Sequence, residues 1–270
     1  MPIPPLVKDI AHLCGSLALA MAVFIPLERL FAARKQKIFR GAFATDLGYY
    51  FIAGLVPKLL LLIPMSLLAR AVHHTVPSAY YAWAASLPTW LRLLGALLVG
   101  ELGYYWMHRW MHQVPFLWRF HAIHHSAEAM DWLVNTRTHP IDSFLGRFAG
   151  LAPIYVLGLA QPSGVHLDSV PPLFVIVGSL WSFFIHANLK WRFGWLERLI
   201  STPAFHHWHH TKDSRAEIDK NYASMLPILD IVFGTYYVPR HLPKQYGIDG
   251  PMPADLAGQL LHPFEAAGRG

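Results

Sequence analysis

Long apolar runs decide what this chain can fold into. The first extends from about Ile10 to Leu27, the second from about Leu47 to Val72, and the third from about Trp90 to Met107. A helix needs about 20 apolar residues to cross a hydrocarbon core of about 30 Å, so each of these runs reads as a membrane span. The second contains Pro57 and Pro64 and is long enough to cross once or to form a kinked hairpin. A fourth run, about Phe144 to Leu159, has the length of a re-entrant or half-span, and a fifth extends from about Pro171 to Ile185. Gln161-Pro162-Ser163-Gly164 and Pro171-Pro172 punctuate the turn between them.

Composition agrees with this reading. Of 270 residues, 54% are hydrophobic and 14% are charged, against about 25% charged in an average soluble domain. Such apolar content excludes disorder, and no strand-like alternation competes with helix. The expected fold is therefore an all-α integral-membrane helical bundle of about four or five apolar segments. The first run lacks a preceding basic stretch and a small-residue cleavage site, which favours a retained span over a signal peptide.

The net charge of +6 would suit nucleic acid in a polar chain. In one so apolar it points to basic residues at a membrane surface, and no nucleic-acid partner is expected. Arg29, Arg34, Lys35, Lys37 and Arg40 follow the first span and should be cytoplasmic by the positive-inside rule. Two further crossings return the chain to that face at His108, and a hairpin of the fourth and fifth runs brings His206 to His210 there as well.

Histidine is the second anomaly, with 17 residues, five of them between His108 and His125 and four between His206 and His210. His108 and His112 are an i, i+4 pair at the end of the third run. His121, His124 and His125 offer i, i+3 and i, i+4 pairs, and His206, His209 and His210 repeat that pattern, with His207 turned elsewhere. Imidazoles at this spacing share one helix face and can bind one ion. One such pair arises by chance; three boxes, each at a membrane exit, form a pattern. A proton relay would string histidines through the spans instead.

Imidazole suits zinc, copper, iron and nickel. Eight ligands exceed what one ion takes, which points to two ions, and a structural zinc site would not need so many. Two redox-active irons with open positions can bind and split dioxygen, a chemistry suited to a lipid C–H bond with no reactive handle. The single cysteine, Cys14, lies far from the boxes and excludes a disulfide framework, a CxxC pair and a thiolate zinc site. Haem attachment by CxxCH and a GxGxxG nucleotide fingerprint are absent as well.

The order His108-x3-His112, His121-x2-His124-His125 and His206-x2-His209-His210 resembles the fatty acid hydroxylase/sterol desaturase superfamily of integral-membrane di-iron oxygenases. Flanking segments agree, among them Tyr104 to Arg109, Leu117 to Phe120 and Thr202 to Phe205, and the similarity extends from Glu101 to Tyr236. Asn221-Tyr222-Ala223 and Asp230 to Thr235 look like the family's closing segment, with Ala223 where glycine is common. The resemblance also implies two further ligands, His139 in His139-Pro140 and His186 in His186-Ala-Asn188, making ten. The other seven histidines receive no metal role.

The resemblance implies one membrane-embedded unit over residues 1–270. Spans occupy 1–100, a histidine-box catalytic region 101–236, and a loop-rich tail 237–270. The boxes would line a helical cap on the cytoplasmic face. It implies O2-dependent, di-iron hydroxylation of an apolar lipid, with desaturation by the same site as the nearest alternative. Electrons would come from a separate cytochrome b5-like or ferredoxin-like donor, and zinc can replace iron in purified protein. A metal transporter and a non-catalytic scaffold are the competing classes; the first would need polar residues through the spans, and the full histidine set argues against the second.

Two divalent ions on neutral imidazoles bring a charge of about +4 into a low-dielectric site, so carboxylates should bind the outer imidazole nitrogens. Glu101 is the leading candidate, because it lies on the His108 face within an apolar run where an unpaired charge is costly. Glu128, Asp131, Asp142, Asp213 and Asp230 are others, and Asn188 is a candidate hydrogen-bond donor behind the ligands. Arg109, Arg119 and Arg137 read either as a docking surface for an acidic donor or lipid headgroups, or as membrane anchoring, the plainer choice. Trp106, Trp110, Trp118 and Trp132 read as an interfacial belt.

Overall fold

The computed structural model describes residues 4–159 and 170–265, which places Gln161 to Gly164 and His166 outside the described residues. The elements are α1 (Pro5–Leu30), α2 (Phe43–Thr75), α3 (Ser78–Ser86), α4 (Thr89–Gln113), α5 (Pro115–His125), α6 (Pro140–Val156), α7 (Val170–His186), α8 (Pro203–His209), α9 (Ile228–Val232) and α10 (Leu256–Glu265). Two 3-10 turns, Trp132–Thr136 and Gly194–Arg198, lie between them. Among the described residues there is no strand, only isolated bridges pairing Ala32 with Leu189 and Thr211 with Tyr246. The all-helical expectation holds.

Among the described residues two helices are long and apolar enough to cross a membrane: α1, with 26 residues, and α2, with 33. The bent pair α3 and α4, turned through 112° at its break, makes up to three. The other two apolar runs form shorter helices. The fourth run falls in α6, whose 17 residues bury Asp142, Gly146, Gly150 and Ile154. The fifth falls in α7, which also has 17 residues. Pro171 and Pro172 begin α7 rather than punctuating a turn. The second run is one helix through Pro57 and Pro64, not a hairpin.

Proline sets the helix junctions. Val76, Leu87, Val114, His139 and Thr202 each precede a proline and each is extended, with ψ between 114° and 167°. The proline ring clashes with a helical residue before it, so a helix stops there and restarts with proline in its first turn. The break between α3 and α4 falls at Leu87-Pro88, and the Val114-Pro115 junction separates the histidines of α4 from those of α5.

Leu19 and Val23 of α1, and Leu62, Ile63 and Leu67 of α2, are exposed, as expected of faces solvated by lipid. The inner side of α1 buries only Ala20 and Phe24, which pack with Tyr50, Trp132, Leu133, Ala187 and Leu189. Helices α4 and α6 approach backbone to backbone: a Cβ on Gly103 would lie 2.1 Å from the carbonyl oxygen of Ala149. The tail is not all loop. α10 packs back on the bundle, with Leu256 against Gly48 and Phe264 edge-on to Phe120, ring centroids 5.6 Å apart.

A charged knot ties the loop after α1 to α2 and to the Trp132–Thr136 turn. Arg40 pairs with Asp46 and binds Asp131 at 2.6 Å, and Arg137 binds Asp46 at 2.6 Å. Asp131 also accepts from the Leu133 and Val134 amides and so caps the 3-10 turn. Arg137 is thus internal, not part of a docking surface. Replacing Asp46 by Ala would leave two guanidinium groups short of a carboxylate, and removal of one partner from a buried pair costs about 3–5 kcal/mol. We expect Asp46→Ala to lower the unfolding temperature in detergent by many degrees; an unchanged value would show that the knot contributes nothing.

Candidate metal centre

The end of α4 presents His108 and His112 on one face. The chain reverses at Val114-Pro115, and α5 returns His121, His124 and His125 toward them. The end of α7 contributes His186. α8, begun by the Thr202 side chain accepting from the Phe205 amide at 3.3 Å, contributes His206, His209 and His210.

These nine imidazoles gather into two groups. His108, His112, His121, His125 and His209 form one; His124, His186, His206 and His210 form the other; within each, the candidate ligand atoms lie within 4.8 Å of one another. The boxes do not map one to a group. His121 and His125 face one side of α5 and His124 the other, while α8 gives His209 to the first group and His206 and His210 to the second. Both helices therefore lie between the two groups.

The nitrogen geometry explains why the groups suit cations. In the first group the His108 Nδ1–H donates to the Tyr222 carbonyl at 2.7 Å, and His121 Nδ1–H to Asp142 at 3.1 Å. Both partners only accept, so in the neutral rings both Nε2 atoms carry bare lone pairs. Yet these Nε2 atoms lie 3.1 Å apart. In the second group His186 Nδ1–H donates to Ser182 and His124 Nδ1–H to Arg137, both carbonyls, and their Nε2 atoms meet at 3.3 Å. Facing lone pairs repel unless a cation lies between them. Neighbouring imidazole nitrogens bonded to one ion at about 2.1 Å lie about 3.0–3.4 Å apart for bond angles of about 90–109°. The contacts of 3.0 Å for His125–His209, 2.9 Å for His186–His206 and 3.1 Å for His206–His210 fit the same spacing. The residues present therefore fit two imidazole-bound ions.

Electrostatics agree. Burial and then the neighbouring imidazoles push His124, His125, His206 and His210 well below the usual histidine range. Burial brings His209 down to about 3, partly opposed by its hydrogen bond to the Lys220 carbonyl. Neutral imidazole is the form that binds metal.

The outer nitrogens are held largely by one short segment. Asp219 binds His112 Nδ1 at 3.0 Å, the Lys220 carbonyl accepts from His209 at 2.8 Å, and the Tyr222 carbonyl accepts from His108. Asp219 and Asn221 both adopt the left-handed conformation, with φ of 58° and 59°. The Asn221 side chain fixes the segment by donating to the Phe205 and Tyr237 carbonyls, and Asp230 accepts from the Tyr222 and Ala223 amides.

Other expected site residues are placed differently. His139 joins neither group: its Nδ1 accepts from the Ile141 amide at the start of α6, and its Nε2 donates to the Leu260 carbonyl at 3.3 Å. Glu101 makes its hydrogen bonds to the Ser224 hydroxyl and the Met225 and Leu226 amides, and so supports the 219–226 segment rather than an imidazole. Asn188 pairs with the backbone of Arg34. Its amide side chain is thereby committed away from the ligands. Asp142 does reach an imidazole, whereas Asp131, Asp213 and Asp230 serve Arg40 or backbone amides. Asp219 was missed; nothing in its spacing from the boxes marks it, since its position depends on a left-handed turn. His207 faces elsewhere, its Nε2 donating to the Ala187 carbonyl and its Nδ1 accepting from the Tyr246 hydroxyl.

The family model for fatty acid hydroxylases matches residues 93–235, which includes all nine converging histidines. An ornithine lipid hydroxylase from Rhizobium tropici is 35% identical over 192 residues, covering 69% of this chain and 54% of that protein. Human alkylglycerol monooxygenase is 34% identical over 141 residues, covering 52% of this chain and 29% of that protein. A Delta(7)-sterol 5(6)-desaturase from Gibberella zeae is 32% identical, covering 48% of this chain and 37% of that protein. The chain thus spans about half or less of the length of these relatives. No solved structure matches it significantly.

Burial of neutral histidine has a pH consequence. The folded values are about 4 for His207 and about 3 for His209, against 6.5 when free. Between pH 6.5 and about 4 the unfolded chain takes up protons that the folded one refuses, so stability falls as pH falls, by at most about 1.4 kcal/mol per pH unit per group. The unfolding temperature of metal-free protein should be lower at pH 5 than at pH 7.5; a rise on acidification would contradict buried neutral imidazoles.

Proposed function

The chain belongs to the fatty acid hydroxylase family, and from that premise we propose that it is a membrane di-iron oxidoreductase hydroxylating an unactivated C–H bond of a lipid. The observation that carries the reading is the pair of converging imidazole groups with lone pairs facing one another. His108, His112, His121, His125 and His209 would hold one iron, and His124, His186, His206 and His210 the other. Bound there, two irons would supply the activation of O2 and the removal of hydrogen from carbon.

The residues of the chain do the rest. Asp142, Asp219 and the carbonyls of Lys220, Tyr222, Arg137 and Ser182 fix tautomers and ring orientations, so the inner nitrogens stay deprotonated. The buried walls keep water from a reactive centre. Exposed apolar faces of α1 and α2 keep the chain in the bilayer where lipid is supplied. We assign the histidine face to the cytoplasm because Arg29, Arg34, Lys35 and Lys37 flank the end of α1. A separate cytochrome b5-like or ferredoxin-like protein would deliver electrons there. Residues 101–236 form the catalytic region of this reading, with spans before it and the α10 tail after it.

Desaturation is the second reading, favoured by the similarity to a sterol desaturase. Both outcomes begin with the same hydrogen removal, and the same histidine boxes serve either. The purified protein should hold close to two irons, one for each group. His124→Ala or His209→Ala should abolish O2-dependent product. Lipid profiling of cells with and without the gene would identify substrate and outcome together. Product formed at the normal rate by metal-free protein would sink the mechanism.

A further inference from the structure

We propose that the two groups differ in metal affinity, the His108 group being the tight site and the His124 group the exchangeable one. This rests on the reading that both hold iron. The first group offers five imidazoles and the second four. Two carboxylates touch imidazoles of the first group, Asp142 on His121 and Asp219 on His112. Among the described residues no carboxylate touches an imidazole of the second. Its outer partners are the Arg137 and Ser182 carbonyls, and the buried Nδ1 atoms of His206 and His210 have no protein partner among the described residues.

Three physical effects act in the same direction. A fifth ligand adds a bond. A carboxylate behind an imidazole raises its basicity and offsets the charge of the ion. A ring whose outer nitrogen is already hydrogen-bonded loses less freedom when the metal binds, and His108, His112, His121 and His209 are so held in the first group against His124 and His186 in the second. Loss of one outer partner typically costs 10–100-fold in metal affinity, so the groups should differ by about 100-fold or more. Asp142 is the stronger contributor, since its side chain is 6% exposed while that of Asp219 is 52% exposed and screened by water. The left-handed backbone at Asp219, φ 58°, is one that favours glycine. Asp219→Gly therefore removes the carboxylate without straining the loop.

The test uses the full chain in lipid nanodiscs, loaded anaerobically with ferrous iron and challenged with excess chelator, with retained iron followed by elemental analysis. Wild type should hold two irons and release them in two phases whose rates differ by about 100-fold or more. Asp142→Asn and Asp219→Gly should accelerate the slow phase, Asp142→Asn the more; His210→Ala should remove the fast phase and leave the slow one. Asp219→Gly keeps the test open if Asp142→Asn does not fold. Release of both irons in one phase, acceleration confined to the fast phase, or loss of the slow phase in His210→Ala would overturn the ordering. Two irons leaving together would still leave the proposed function standing, whereas a chain that takes up no iron would overturn that function itself.

Discussion

Facing imidazole lone pairs are the interaction on which the rest of this structure depends. Carbonyls and carboxylates claim the outer N–H groups of His108, His121, His124, His186 and His209, and the inner nitrogens are left to converge. Convergence without a cation is repulsive, so the fold must hold the rings in place by other means. It does so with short helices that end at the site and with the 219–226 segment, whose every anchor lies elsewhere. Glu101 reaches it from α4, Asp230 from α9, and Asn221 ties it to α8 and to Tyr237. Burial raises Asp230 to about 6, opposed by the amides and the Thr235 hydroxyl that bind it. A buried carboxylate is tolerated here because it organises the backbone that orients three imidazoles.

The charged knot at Asp46 plays the corresponding part for the second group. Arg137 is fixed by Asp46 through its side chain and receives His124 through its carbonyl. His207 does the same for α7 and α8, binding the carbonyl of Ala187 while sitting next to His206. The second group is thus oriented through backbone carbonyls alone, one of them on an ion-paired residue, and the first by two carboxylates together with the Lys220 and Tyr222 carbonyls.

Much of this was legible in the sequence, and what was not has physical reasons. Histidine spacing revealed the three boxes and the i, i+4 pairs that stay together, whereas the i, i+3 partners His121 and His124, and His206 and His209, fall in different groups. It could not reveal that α5 and α8 each serve both groups, because that depends on where α7 docks. Hydrophobic runs located α1, α2 and α4, and the fourth run falls in α6, which buries Asp142 and packs Gly150 on α4. His139 shows the limit of residue type: a histidine before proline can begin a helix with its own ring nitrogen, and this one does. Glu101 was rightly marked as a carboxylate that needs partners, but its partners are backbone amides. Asp219 stayed hidden because left-handed loop geometry leaves no periodicity.

The polar residues within the apolar helices bear on which class of membrane protein this is. A metal transporter needs ligands spaced along a path, each exchanging its ion for the next. Three charged groups of the helices are instead committed to fixed backbone partners: Arg92 to the Leu159 carbonyl, Glu101 to the 224–226 turn, and, from α6, Arg147 to the Ala53 carbonyl. Arg92 and Glu101 are buried and Arg147 joins α6 to α2, and holding such partners is a static task. The histidines gather at one end of α4 and α7, in two closed groups rather than a ladder. Ligands so placed suit a resident ion rather than a transported one, in keeping with the proposed oxygenase.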